Sequence, residues 1–236
     1  MKLLGIDTNA KTVKGRKKGY ITAITYLAPS DASGVTNTCP NASKGCRAAC
    51  LFTAGRGRMS NVMQARINKT KFFVEDPNLF MDQLICETSS FIKRAEKKGM
   101  IPCERLNGTS DIAWEEILVD GKSIMEHFPN LQFYDYTKRP TRMKAFTGGK
   151  LPANYHLTFS RSETTKDSTI KAILRDGGNV AVVYLGELPK EDFGAEVING
   201  DESDLTFTYK SGVIVGLTAK GDAKVDKSGF ARLTTV

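Results

Sequence analysis

The 236 residues, 40% of them hydrophobic and 25% charged, suffice for one well-cored domain of the larger kind or two small ones, and exclude a disordered chain. Thirty-four Lys and Arg against 26 Asp and Glu give +8, gathered in Lys11–Lys18, Arg47–Arg66, Lys93–Lys98 and Lys138–Lys150. That balance points to a polyanionic partner, nucleic acid or nucleotide, with no membrane partner because no segment reads as a basic amphipathic anchor; a solvated surface serving solubility accounts for it equally well.

The apolar run at Leu3–Ile6 is too short for a signal-peptide core, and nothing reaches the ~18 uninterrupted apolar residues of a membrane helix, so a cytoplasmic protein is expected. Tyr20–Leu27 is β-branched and aromatic and stops at Pro29, which reads as the first strand. A Gly/Ser/Asn/Pro-rich loop with three cysteines follows, at 37–51. Helices are expected at Ser60–Val74 and Asn78–Lys98, the second with Met81, Leu84, Ile85, Thr88, Phe91, Ile92 and Ala95 on one face and Gly99 as its cap.

Strand-like pieces then recur at Pro102–Leu106, Leu131–Tyr136, Tyr155–Ser160, Asn179–Leu185 and Val213–Leu217. Helical intervals fall at Trp114–His127, Thr141–Phe146 and Thr165–Arg175. This alternation predicts a single α/β domain, 1–236, with mostly parallel strands. The stretch 188–210 breaks the pattern and reads as a small β insertion, with Glu196–Ile198 and Leu205–Tyr209 flanking a turn at Asn199-Gly200-Asp201.

The cysteine loop has the spacing C-x6-C-x3-C at Cys39, Cys46 and Cys50. In a reducing compartment such a cluster argues for metal or catalysis rather than disulfides. Thiolates suit zinc or iron–sulfur iron, the small residues between them let the backbone wrap a bulky centre, and Lys44, Arg47 and the next helix start would lower the thiol pKa values. A structural zinc site wants four ligands. Cys86 within a helix, Cys103 opening a strand, and His127 and His156 are poorly placed to supply one, so three ligands with an open position, as in a [4Fe–4S] cluster, is the expectation, with zinc as the alternative.

The stretches Cys39–Leu51, Arg105–Glu115, Phe133–Arg139 and Tyr155–Ser160 resemble a bacteriophage family, the gene 88 proteins, which implies the host cytoplasm but lends no activity. A looser resemblance is to the radical S-adenosylmethionine superfamily, whose partial barrel has six β/α units and three cysteines in the loop after the first strand; its usual spacing is C-x3-C-x2-C with an aromatic residue before the last cysteine, where this chain has Ala49. That likeness implies a partial (β/α)6 barrel and S-adenosylmethionine on the open iron. It further implies that Asn107, Gly108, Thr109, Ser110 and Asp111 line the cofactor's mouth, together with Asp135, Thr137 and Lys138 and with Ser160, Ser162 and Glu163 from the next two strand ends.

Each of these groups has a plainer role as a turn or helix cap, and recurrence at three strand ends is what favours the cofactor. Lys138-Arg139-Pro140-Thr141-Arg142 with Tyr134 and Tyr136 offers charge and stacking surface for single-stranded nucleic acid. Three readings follow: a radical-initiating iron–sulfur enzyme acting on a nucleotide or nucleic acid, a metal-stapled nucleic-acid-binding module without catalysis, and an electron-transfer protein with its own electron donor.

Overall fold

The computed structural model describes residues 1–234. In chain order it contains β1 (Leu4–Ile6), α1 (Ala10–Gly15), β2 (Tyr20–Thr25), α2 (Lys44–Ala48), α3 (Ser60–Glu75), α4 (Pro77–Glu96), β3 (Ile101–Arg105), α5 (Ile124–His127) and β4 (Gln132–Thr137). There follow α6 (Pro140–Thr147), β5 (Tyr155–Ser160), α7 (Asp167–Arg175), β6 (Asn179–Leu185), β7 (Glu191–Asp192), β8 (Ala195–Asn199), β9 (Ile214–Thr218) and β10 (Ala231–Leu233). The protein is mixed α/β with mostly parallel strand pairs. It divides into two compact units, one of Met1–Pro40, Ser60–Asp135 and Leu151–His156, the other of Asn41–Met59, Tyr136–Lys150 and the described chain from Leu157 on.

In the first unit β1 lies antiparallel to β2, β2 runs parallel to β3 with Tyr20 opposite Ile101, and β3 runs parallel to β4 with Cys103 opposite Gln132. Helix α4 begins where Asp76 accepts from Leu79 N–H at 3.1 Å and Pro77 occupies the first turn, whose N–H groups have no helical partner in any case. It buries Phe80, Met81, Leu84, Thr88, Phe91 and Ala95, which recur at three- and four-residue spacing. Phe80 stacks on the fully buried Trp114 at 6.3 Å and meets Phe73 edge-on at 5.2 Å. Truncating such a buried ring costs roughly 3–5 kcal/mol.

The expected helix over Trp114–His127 does not form as one piece. A 3-10 turn covers Trp114–Glu116, Val119 bridges Lys122, and α5 starts only after Ser123. The cause is Asp120-Gly121, both at positive φ (50° and 75°), a tight reversal that no helix can contain.

In the second unit β5 and β9 flank β6 in parallel, β8 runs parallel to β9, and β7 closes antiparallel on β8. Strand β6 is long enough to hold two neighbours on one edge: Asn179–Ala181 pair with β5, and Val183–Leu185 pair with β10. Its residues are buried on both faces, which accounts for its unbroken apolar run. Helix α7 covers this unit with Ile170, Ile173 and Leu174.

The β insertion exists, but its hairpin is one turn earlier than expected. It joins β7 to β8 through Phe193-Gly194, both at positive φ, whereas Thr206–Thr208 is a 3-10 turn rather than a strand. Gly200 serves close packing instead of a hairpin, since a Cβ there would meet Leu217 Cδ2 at 2.9 Å and Gly216 O at 3.1 Å. No described helix is long and apolar enough to cross a membrane.

Candidate functional site

The three cysteines of the 37–51 loop are half-exposed, whereas Cys86 is exposed and Cys103 is buried. Cys103 lies inside β3, its Sγ within 3.3 Å of Thr22 Oγ1 and 3.6 Å of Ile21 O. His127 Nε2 meets Val119 O at 2.9 Å. Burial lowers the pKa of His156 to about 4 and keeps it neutral.

In the first unit Cys39 follows an ordered approach. Thr38 Oγ1 donates to Ala28 O (2.6 Å), Thr38 O accepts from Asp111 N–H (2.8 Å), and Asn37 Oδ1 accepts from Cys39 N–H (2.9 Å). The Cys39 thiol then donates to Thr109 O at 3.5 Å. Thr109 lies beyond the carboxyl end of β3, and its hydroxyl donates to Leu27 O beyond the end of β2 (2.6 Å). Gly108 must be glycine, because a Cβ would come within 2.7 Å of Thr25 O and against the Tyr26 ring.

Asn107 is the hub of this turn. Its amide nitrogen donates to Ile112 O and Asp135 Oδ2, and its amide oxygen accepts from Ser110 Oγ, Ile112 N–H and Trp114 Nε1, all between 2.8 and 3.1 Å. That uses both donors and both lone pairs of the side chain. The Asn107 backbone N–H also donates to Asp135 Oδ1 at 2.7 Å, and Tyr155 Oη donates to Asp135 Oδ2 at 2.9 Å. Asn107, Ser110 and Asp135, three of the residues expected to line a cofactor, thus tie the turn after β3 to strand β4.

In the second unit the segment carrying Cys46 and Cys50 is clamped by Glu163. Ser43 caps α2 by accepting from Cys46 N–H (3.1 Å), and its hydroxyl donates to Glu163 Oε2 (2.6 Å) while Gly45 N–H donates to Oε1 (2.8 Å). Burial pushes the Glu163 carboxyl up, but the hydrogen bonds from Ser43, Gly45 and its own backbone N–H, together with the charge of Lys138, outweigh it and leave the pKa below the ordinary value. The absence of a side chain at Gly45 leaves room for this clamp, since a Cβ would lie against Ser228 Oγ and 2.8 Å from the Glu163 carboxylate. Cys46 packs on Ala49, Ala219, Ala223, Phe230 and Ala231. Cys50 O accepts from Thr53 N–H and Oγ1 at 2.9 and 2.8 Å.

The remaining expected residues also have local partners. Lys138 Nζ donates to Ser160 Oγ (2.9 Å) and to Ser160 O and Arg161 O (both 3.2 Å), and sits 5.1 Å from the Phe230 ring centre. Thr137 Oγ1 accepts from Arg139 N–H, and Ser162 Oγ lies 3.1 Å from the Thr164 and Thr165 hydroxyls. Arg161, for which the sequence carries no local signal, ties this corner to the last strand by donating to Gly229 O and Phe230 O at 2.7 and 2.9 Å. Among the described residues no group of three or more His, Cys, Asp or Glu side chains is arranged to hold a metal ion.

Residues 2–233 match the gene product 88 family, and the chain belongs to that family. No curated protein and no solved structure matches it.

Proposed function

We propose that Cys39, Cys46 and Cys50 ligate a [4Fe–4S] cluster whose fourth iron is open to S-adenosylmethionine, in a radical-initiating enzyme on a partial (β/α)6 barrel acting on a nucleotide or nucleic acid. The observation that carries this reading is how the cysteine segment is fastened. It follows the first of the parallel strands, Cys39 is held by the carbonyl of Thr109 just past β3, and Ser43 and Gly45 are held by Glu163 just past β5. Ligands of parallel β/α folds collect at those strand ends. Soft thiolates with small residues between them fit iron–sulfur or zinc.

A second reading is favoured by one observation: Asn107, Ser110 and Asp135 spend their polar groups on one another and on Tyr155 and Trp114. On that reading the metal, zinc or a cluster, only staples the loop, and the strand-end polar groups are scaffold. Anaerobic purification with an absorption spectrum and iron, sulfide and zinc analysis separates the two. Brown protein with about four irons, whose electron paramagnetic resonance signal changes on adding S-adenosylmethionine, supports the enzyme; colourless protein with one zinc per chain overturns it.

A further inference from the structure

We infer that the amino-terminal ends of β2 and β3 form a docking face for the sugar–phosphate backbone of a nucleic acid. The sequence shows two basic clusters far apart, Lys11–Lys18 and Lys93–Lys98. Folding makes them neighbours. Each ends in the same tripeptide, Lys17-Lys18-Gly19 and Lys97-Lys98-Gly99, and each glycine sits at positive φ, 81° and 61°. Left-handed backbone at those points stops the preceding helical turn and sends the chain directly into a strand. The two strands are adjacent and in register there, with Tyr20 opposite Ile101 and Ile101 N–H donating to Gly19 O at 2.9 Å.

Lys17, Lys18, Lys93, Arg94, Lys97 and Lys98 are all exposed, and among the described residues their side chains make no ion pair. Arg16, beside them, is neutralised by Asp7 at 2.6 Å, and Glu96 is the one carboxylate within these two segments. One cation near a helix C-terminus is favourable, but Lys93 with Lys97 and Arg94 with Lys98 are like charges four apart at the end of α4 and oppose each other. A polyanion relieves that repulsion. Phosphates fit better than a bilayer, because the apolar face of α4, the helix that carries Lys93 and Arg94, is already buried and is not free to insert.

Because β2 and β3 are parallel, this face is at the opposite end of the strands from Thr109 and Cys39, about 15–20 Å away for strands of this length. The inference deepens the nucleic-acid part of the proposed function, and it does not depend on the metal.

Fluorescence anisotropy of the full chain with a labelled 20-mer, single-stranded and duplex, from 50 to 200 mM salt tests it. The variant K17Q/K18Q/K93Q/K97Q is compared with K144Q/K150Q/K171Q/K190Q, which removes the same charge from exposed lysines of the other unit. Circular dichroism checks folding, and metal content of each preparation reports separately on the cysteine centre. Expected are a loss of at least tenfold in affinity at 100 mM salt and a salt slope shallower by about 3 for the first variant, at roughly 0.7–0.9 for each phosphate no longer neutralised, with the control within about twofold of wild type. Equal losses in both variants, no binding by wild type, or binding only to vesicles of anionic lipid would overturn the inference.

Discussion

Glu104 gives the sharpest prediction about stability. It is fully buried in β3, and among the described residues its carboxylate accepts only from Thr88 Oγ1, at 3.1 and 3.2 Å. Burial pushes its pKa up from 4.5 to about 8, against the Thr88 hydrogen bond and with help from the nearby charges of Asp135 and Glu87. The folded protein therefore holds a proton that the unfolded chain releases between pH 4.5 and 8, so this group's contribution is most favourable at low pH and is lost as pH rises through that window. At pH 7 the gap amounts to roughly 3 kcal/mol. Glu104→Gln removes the titration and keeps a partner for Thr88, at a cost of about 1 kcal/mol for one amide N–H left unpaired. Urea denaturation should find the variant more stable than wild type by about 2 kcal/mol at pH 7 and no more stable at pH 4.5. An advantage of the same size at both pH values would refute the assignment of a buried, protonated Glu104.

Three further outcomes follow from the site geometry. Asn107→Ala strands Asp135, Ser110 and Trp114 Nε1 without their partner, and should lower Tm on the order of 10 °C, read by thermal unfolding. Glu163→Gln weakens the clamp on Ser43 and Gly45; because the Glu163 pKa is depressed, its contribution is present above the ordinary carboxylate range and lost as pH falls below it, so a deficit of about 1 kcal/mol at pH 7 should vanish in acid denaturation. Cys86→Ser and Cys103→Ser should leave metal content per chain unchanged, since one thiol is exposed on α4 and the other is packed inside β3; depletion of metal in either would show that the three-ligand set is incomplete.

Long segments with one period were legible in the sequence. Helix α4 declares itself by its spacing and ends near Gly99, and the unbroken apolar run of β6 declares a strand buried on both faces. Short pieces were not: β1 and β10 have three residues each, too few for a period, and exist because β2 and β6 offer them an edge. Asp120-Gly121 and Phe193-Gly194 decided two turns that hydrophobic pattern alone misassigned. At the site, the residue types at the strand ends were visible but their partners were not. Nothing local links Ser43 to a carboxylate 120 positions later, and the composition Asn-Gly-Thr-Ser-Asp suits a ligand mouth and a self-satisfied turn equally. The bond partners of Asn107 come into view only in the fold.

Whether Cys39, Cys46 and Cys50 act together on one metal centre is decided by the iron, sulfide and zinc content of anaerobically prepared wild type beside the three single Cys→Ser variants. Expected are about four irons and four sulfides per wild-type chain, with broad absorption near 400 nm, and depletion of most of both in each variant. Wild type without iron, or a variant at any of the three positions that keeps its full complement, would contradict a shared centre.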